Sequence, residues 1–482
     1  MLLILENVFI LYFAVYSLIS LAFLFVFLFT FFRYPHEKAE GNIPGVSILI
    51  SAYNEEDTIV ESVKSLLRLD YPDYEMIVIN DGSEDKTLQV LVEQFALIET
   101  KRDYEDLIGT APVTNIHRSK HHPNLVVINK DNSGKADSLN VGLNVAVHPY
   151  VVTIDADTIL DRMALKSLIV PFLKNEQVAA AGGLLTVANG ARIREGELLE
   201  AHMPTNPLII FQLIEYLISY TVGRICLSRM NSLLVLSGAF SMFDRDFLLK
   251  AGGFLSLHNK SRVVRDQLGA NGGRTVCEDM EVVVRLHRFA RDNRVKKKVI
   301  FFPYPVAWTE IPENIKSLAR QRNRWHRGLM ESLTLHRTIL FEPRYGMIGM
   351  LAAPYYLIFE FLSPLVKLLA VIFVTFLLFL GAVDRLWLLL FLLTVISTGG
   401  LLTAAITVAV EHKFSKISQV NIQALRYQNI SSWIKLLVYS MITNLIYTPL
   451  RSVFQLWGFY DWLLKKKEWY KFARTAYGSA KL

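Results

Sequence analysis

Three groups of residues in this chain have types and spacings suited to chemistry. Asp155 and Asp157 end an apolar run and are separated by one alanine. Two apart at a strand end, both side chains would leave the same face. Two hard oxygen donors there suit Mg²⁺ or Mn²⁺, with phosphate oxygens and water completing the shell. Glu278 and Asp279 precede Met280, Val283, Val284 and Leu286, the pattern of an amphipathic helix. Asp279 could serve there as a general base, which needs hydrogen-bond reach to a hydroxyl rather than an unusual pKa. Downstream, Gln321, Arg324, Trp325 and Gly328 are spaced so that they share one helix face. Trp325 offers a ring to a sugar face, Gln321 an amide to its hydroxyls, and Arg324 a planar fork to a phosphate. Arg320, Arg322 and Arg327 read as peripheral to that face.

Each signal has an ordinary counterpart. Acidic pairs at strand ends are common on surfaces, and carboxylates at a helix start complement its dipole. A basic helix ahead of an apolar run can bind lipid headgroups. In Asp81-Gly82-Ser83, Asp81 could accept hydrogen bonds from a base or ribose, or Ser83 could cap a helix. Lys135, after Asn132-Ser133-Gly134, stands at a helix start where a diphosphate could bind. The spaced glycines and Ser/Thr of a P-loop are missing.

The elements that must position these residues alternate in type. Strand patterns occupy 46–51, 75–80, 125–129 and 151–154. Between them, helical spacing marks Ile59, Val63, Leu66 and Leu67, then Leu88, Leu91, Val92 and Phe95, then 136–147. This order predicts an α/β domain with a mostly parallel sheet flanked by helices. Ligands in such sheets bind beyond the carboxyl ends of the strands, where Tyr53, Asn54, Asp81, Asp155 and Asp157 fall. Residues 100–123 are polar and include His117, His121 and His122; they read as a solvated insertion rather than a metal site. Residues 258–275, with Gly269, Gly272 and Gly273, read as a surface loop or a lid over the site.

Of the 482 residues, 52% are hydrophobic and 20% charged, an apolar excess over an average soluble protein. Residues 7–32 carry no charge and are long enough to cross a bilayer. Glu6 before them and Arg33 after them argue for an uncleaved anchor with its N-terminus outside. Runs at 362–383, 386–410 and 433–459 are further candidate spans, while 347–359, interrupted by Pro354, suits an interfacial or re-entrant helix. If all three long runs span, Lys465-Lys466-Lys467 ends outside, against the positive-inside rule; Thr448-Pro449 and Arg451 make the last run the one to break, unless 347–359 also spans. The expected organisation is an anchor at 1–40, a cytoplasmic domain at 41–343, and interfacial helices with a transmembrane region at 344–482. That places the chain in the cell inner membrane as a multi-pass protein. A net charge of +7 fits contact with an anionic lipid bilayer, and no basic domain stands apart for nucleic acid. Cys226 and Cys277, without CxxC or Cys-His spacing, argue against a disulfide framework or structural zinc.

Taken in order, six segments resemble the processive, membrane-embedded family 2 glycosyltransferases: the cellulose, hyaluronan, chitin and poly-N-acetylglucosamine synthases. The segments are Ser51-Ala52-Tyr53-Asn54-Glu55, Asp81-Gly82-Ser83, Asn132-Ser133-Gly134-Lys135-Ala136, Asp155-Ala156-Asp157, Cys277-Glu278-Asp279 and Gln321-Arg322-Asn323-Arg324-Trp325. The layout is most similar to bacterial exopolysaccharide synthases. The resemblance implies a GT-A fold, with Tyr53, Glu55 and Asp81 on the uridine and Lys135 on the diphosphate. It implies Mg²⁺ or Mn²⁺ on Asp157 with Asp155 nearby, Asp279 as base, and Gln321, Arg324 and Trp325 framing the diphosphate and acceptor sugar. The implied reaction is inverting, processive transfer from a UDP-sugar to a growing polysaccharide, coupled to export, with accessory or export subunits as further partners. Two features depart from the pattern: Cys277 replaces the usual Thr or Gly, and one N-terminal span stands where some members have two. A single-addition enzyme acting on a polyprenyl phosphate or glycolipid would need the same nucleotide site without the Gln-x-x-Arg-Trp helix. A non-catalytic transporter or scaffold would instead use Glu360, Lys367, Asn444 and Arg451 as a polar path, although snorkelling explains several of them.

Overall fold

The structure, a computed structural model, describes residues 2–33, 37–269, 275–417 and 429–466. Gly272, Gly273 and Lys467 lie outside the described residues. The strands are β1 (Val46–Ala52), β2 (Tyr74–Asp81), β3 (Leu97–Thr100), β4 (Val113–Ser119), β5 (Leu125–Lys130) and β6 (Tyr150–Asp155). They continue with β7 (Thr158–Leu160), β8 (Val178–Val187), β9 (Ala191–Arg194), β10 (Glu197–Ala201), β11 (Phe240–Asp244) and β12 (Lys298–Thr309). Among the described residues, β9 and β10 form a separate hairpin, and the other ten strands form one sheet in the order β3-β4-β5-β2-β1-β6-β11-β8-β12-β7.

The expected parallel core is β5-β2-β1-β6, set inside a mixed sheet. Its apolar runs arise because helices cover both faces. Leu49, Ile77 and Ile79 share a core with Leu139 and Leu143 of the Lys135–Val145 helix. Ile48, Ile50, Met76 and Val78 share another with the Ile59–Leu67 and Thr87–Phe95 helices. Register aligns the functional edge: Ser51 lies opposite Asp155, Ala52 opposite Asn80, and Asp81 opposite Lys130.

Two loop expectations change. Residues 113–119 of the supposed insertion form β4, antiparallel to both β3 and β5. Only Ile116 and Ser119 of that strand are buried, so its polarity reflects one covered face near the sheet edge rather than solvation. Within 258–275, Arg262–Leu268 is helical and buries Val264.

Three described helices are long and apolar enough to cross a membrane: Ile4–Phe31, Pro207–Arg229 and Arg385–Lys413. The pair Ile348–Phe361 and Ser363–Phe379, bent by 45°, makes a fourth if it is one span. The short run at 347–359 thus continues into the next apolar segment, and its winding is partly π-helical. The last helix, Ile430–Leu463, carries Pro449 in its interior and is not among these candidates. Pro207–Arg229 falls inside the region read as wholly cytoplasmic. Of its most apolar window 61% is buried inside the protein, and the Cys226 thiol donates to the Phe23 carbonyl of the N-terminal helix at 2.9 Å. A helix apolar on every side is either lipid-facing or buried, and this one is largely buried.

Candidate active site

The carboxyl edge of the parallel core carries most of the residues singled out by sequence. Beyond β1, Tyr53 is half-buried and Asn54 adopts a left-handed φ of 53°. That turn lets the Asn54 N–H donate to Ser83 Oγ at 3.0 Å while its Oδ1 accepts the Glu84 N–H at 2.8 Å, tying the β1 and β2 ends together. Glu55 is buried; its N–H donates to Thr87 Oγ1 and its Oε2 accepts the Thr58 hydroxyl.

Asp81, 2% exposed, is engaged by donors of its own chain. Lys130 Nζ and the Ser133 N–H donate to Oδ1 at 2.7 and 3.0 Å, and the Gly134 N–H donates to Oδ2 at 2.8 Å. A fully buried Lys130, also 3.1 Å from Asp137, balances the charge. Asp81 therefore holds the turn that launches the Lys135 helix. Sequence reasoning had offered it as an acceptor for base or ribose and had not registered Lys130, whose signal is its place opposite Asp81 in the ladder.

Lys135 follows Gly134, which has φ 90° and nothing within 4 Å of a would-be Cβ. Its ammonium lies 2.5 Å from Asp155 Oδ1, 3.0 Å from Glu278 Oε1 and 3.5 Å from the Gly238 carbonyl. Burial works against its charge, yet Asp155 and Glu278 hold its pKa above the ordinary lysine value. Asp279 joins the same cluster, with Oδ2 accepting the Gly238 N–H at 3.2 Å and Oδ1 the Met280 N–H at 2.8 Å. Burial, reinforced by Glu278 and opposed by Lys135, pushes the Asp279 carboxyl up to about 6. Gly238, unmarked in sequence except as part of a small-residue turn before β11, permits this approach. A Cβ there would sit 2.9 Å from Lys135 Nζ and 3.3 Å from Asp279 Cβ.

The acidic triplet differs in geometry from its expectation. β6 ends at Asp155, so Asp157 lies in a turn rather than two places along a strand. It is 1% exposed, with Thr309 Oγ1 3.5 Å from its Oδ2. No group of three or more His, Cys, Asp or Glu among the described residues could hold a metal ion. The two aspartates are hard donors of the kind Mg²⁺ or Mn²⁺ takes, and such ions ordinarily complete their shell with substrate phosphates and water. The donor set fits a metal that arrives with a nucleotide.

The helix Ile315–Leu335 carries Gln321, Arg324 and Trp325 and crosses the start of the Glu278–Asp292 helix at Arg324 and Gly328. Cys277, at the N-cap of the Glu278–Asp292 helix, approaches the Arg324 carbonyl with its thiol at 3.9 Å, and burial pushes that thiol well up. Gly328 makes the crossing close, since a Cβ there would lie 2.2 Å from Cys277 Sγ and 2.6 Å from Cys277 Cβ. Gly328→Ala is expected to wedge the helices apart at a cost of about 1–3 kcal/mol, visible as a lower thermal unfolding midpoint; an unchanged midpoint would count against this packing.

Arg322 is not peripheral. It is 3% exposed, stacks its guanidinium 4.2 Å over the Trp325 ring, and pairs with Glu215 at 2.5 Å. Arg327 is buried beside Glu331, and Asn323 donates to Asp461 of the last helix at 2.8 Å. The basic helix is therefore packed inside the protein rather than laid on lipid headgroups.

Comparison with known proteins bears on the family and the fold. The family model described as glycosyl transferase family 2 matches residues 47–249, and that described as glycosyl transferase family group 2 matches 150–465. The poly-beta-1,6-N-acetyl-D-glucosamine synthase of Staphylococcus epidermidis is 30% identical over 302 residues, covering 62% of this chain and 57% of the relative. That of Staphylococcus aureus strain MSSA476 is 28% identical over 292 residues, covering 60% and 56%. The chain thus spans less than two thirds of the curated relatives it matches. Among solved structures, mannosyltransferase PcManGT from Pyrobaculum calidifontis, in complex with GDP-Man and Mn²⁺, superposes with a TM-score of 0.54 at 16% identity, covering 97% of this chain and 99% of that one. That likeness speaks to the fold alone. On its matched span the chain belongs to glycosyl transferase family group 2, built on a GT-A-like fold.

Proposed function

We propose that the chain transfers a sugar from a UDP-sugar to the growing end of a β-linked polysaccharide, with inversion, and passes the product across the bilayer. The observation that carries this reading is the cluster of Lys135, Asp155, Glu278 and Asp279 at the carboxyl edge of the sheet, with the helix bearing Gln321, Arg324 and Trp325 packed on the neighbouring Cys277. Tyr53, Glu55 and Asp81 would receive the uridine, with Asp81 also holding the turn before Lys135. Asp279 would take the proton from the acceptor hydroxyl, whose oxygen attacks the anomeric carbon as the bond to UDP breaks. Lys135 would leave its carboxylate partners for the diphosphate, and Arg324 would stabilise the same developing charge. Mg²⁺ or Mn²⁺ on Asp155 and Asp157 would supply further neutralisation of the diphosphate. Gln321 and Trp325 would hold the acceptor sugar.

The proposed organisation is an anchor at 1–40, a cytoplasmic catalytic domain at 41–343 and a membrane region at 344–482, with the catalytic domain's Pro207–Arg229 element seated against the membrane helices. The partners on this reading are the nucleotide sugar, the polymer, the bilayer, and accessory or export subunits.

With Asp279 raised to about 6, the base is protonated below that pH and ionised above it. The kcat/KM of transfer should fall as pH drops through about 6; a flat profile across that value would argue against Asp279 as the base. The donor is tested by incubating the full chain with a panel of UDP-sugars and Mg²⁺ or Mn²⁺. The staphylococcal relatives make UDP-N-acetylglucosamine the first to try. Release of UDP with sugar incorporated into a glycan supports the reading, and no release from any common UDP-sugar overturns it.

A further inference from the structure

Arg322 stands between Gln321 and Trp325 of its own helix and two other helices, Pro207–Ile218 and Ile430–Leu463. Its Nη1 donates to Gln321 Oε1 at 3.1 Å, which fixes that amide so that it presents its N–H donors. Its guanidinium plane covers one side of the Trp325 indole at 4.2 Å. On its far side, Nη2 donates to Glu215 Oε2 at 2.5 Å and to the Tyr447 hydroxyl at 3.1 Å. Tyr447 in turn donates to Glu215 Oε2 at 2.6 Å, and Arg451 Nη1 to Glu215 Oε1 at 2.8 Å. Glu215 belongs to the Pro207–Ile218 helix, while Tyr447 and Arg451 flank Pro449 in the Ile430–Leu463 helix. Phe211 stacks on Tyr447 with ring centroids 5.7 Å apart, closing the network on its apolar side.

We infer that Arg322 is a positioning residue for acceptor binding, clamped by Glu215 and Tyr447 so that Gln321 and Trp325 are held in one geometry for the incoming sugar. The inference rests on the proposed glycosyl transfer and adds to it a residue that touches neither donor nor acceptor. A planar, stacked guanidinium that donates from both Nη atoms can orient an amide and an indole together, whereas an ammonium in the same place keeps only the charge. The same clamp makes the acceptor platform and the proline-bearing last helix one mechanical unit. The hydrogen bonds of Arg322 described above run to Gln321, Glu215 and Tyr447 rather than to Lys135 or Asp155, the residues proposed for the donor.

The test uses the full chain in lipid nanodiscs with the UDP-sugar it consumes and an oligosaccharide of its own product as acceptor. Arg322→Lys, which keeps a cation opposite Glu215, should raise the acceptor KM about tenfold through lost orientation. Donor KM and donor hydrolysis to water should stay within about twofold, because neither depends on the clamped pair. Tyr447→Phe, lacking only the hydroxyl, should shift acceptor KM in the same direction by less. An unchanged acceptor KM, or equal loss of hydrolysis and transfer in both variants, would overturn the inference. A wild-type chain that turns over no nucleotide sugar would instead overturn the glycosyl-transfer reading, a result distinct from equal KM values in an active wild type.

Discussion

Asp279→Asn is expected to lower glycosyl transfer by about 10²–10⁴-fold, the range ordinarily supplied by a positioned general base. The amide keeps the carboxylate's shape, and its oxygen can still accept the Gly238 or Met280 N–H, but it cannot take a proton. UDP binding, which the account assigns to residues on the sheet edge and to Lys135, should remain close to wild type. Stability gives an independent sign. A carboxyl raised to about 6 in the folded protein, above its ordinary value near 3.9, favours folding in its protonated form. Stability from this group is therefore present below about 3.9 and is lost as pH rises through 6, so the charged form is a cost at neutral pH. Asp279→Asn should unfold at the same temperature or higher at pH 7. Transfer and UDP titrations on one preparation, with a melting curve, separate loss of the base from loss of the fold. Near-normal transfer by this variant would remove Asp279 from its role.

The largest effect on stability should come from Glu281, two residues further along the same helix. Its side chain is 0% exposed and accepts from Arg285 Nε and Nη2 at 2.8 and 2.9 Å, with His336 Nε2 at 3.1 Å. Arg285 continues to the Ala251 and Gly253 carbonyls at 2.5 and 2.6 Å, locking the segment after β11 to the Glu278–Asp292 helix. Burial alone would push the Glu281 carboxyl up, but the Arg285 guanidinium and His336 hold it at about 2. Its stabilisation is complete above the ordinary glutamate value of about 4.3 and is lost as pH falls towards 2. Glu281→Leu leaves a buried guanidinium without its carboxylate and should cost about 3–5 kcal/mol. That is a large share of a total stability of about 5–15 kcal/mol. Glu281→Leu combined with Arg285→Met should recover much of the loss, because the uncompensated charge is then gone. A single variant as stable as wild type would show that the pair contributes little.

What sequence could reveal followed the physics of each segment. The parallel strands were legible because burial on both faces writes continuous apolar runs, and their polar ends then marked the ligand edge. Strand β4 escaped because Ile116 and Ser119 alone are buried, leaving a polar segment indistinguishable from a loop. The Pro207–Arg229 helix escaped because its apolar residues were absorbed into a domain taken as cytoplasmic. Asp155, Lys135, Glu278 and Asp279 were each noticed, but their meeting around Gly238 depends on contacts between distant strands and helices that no local pattern encodes. Helical spacing brought Gln321, Arg324 and Trp325 to one face and dismissed Arg322. Its importance comes from Glu215 and Tyr447, 107 and 125 residues away in the chain.

On the proposed reading, one site extends a single glycan repeatedly. The most direct measurement is the size distribution of product made from one UDP-sugar by the purified full chain, sampled while most donor remains. Long chains are expected at the earliest times, β-linked throughout, with unextended acceptor still in excess. A product carrying one added sugar per acceptor, however long the incubation, would contradict it.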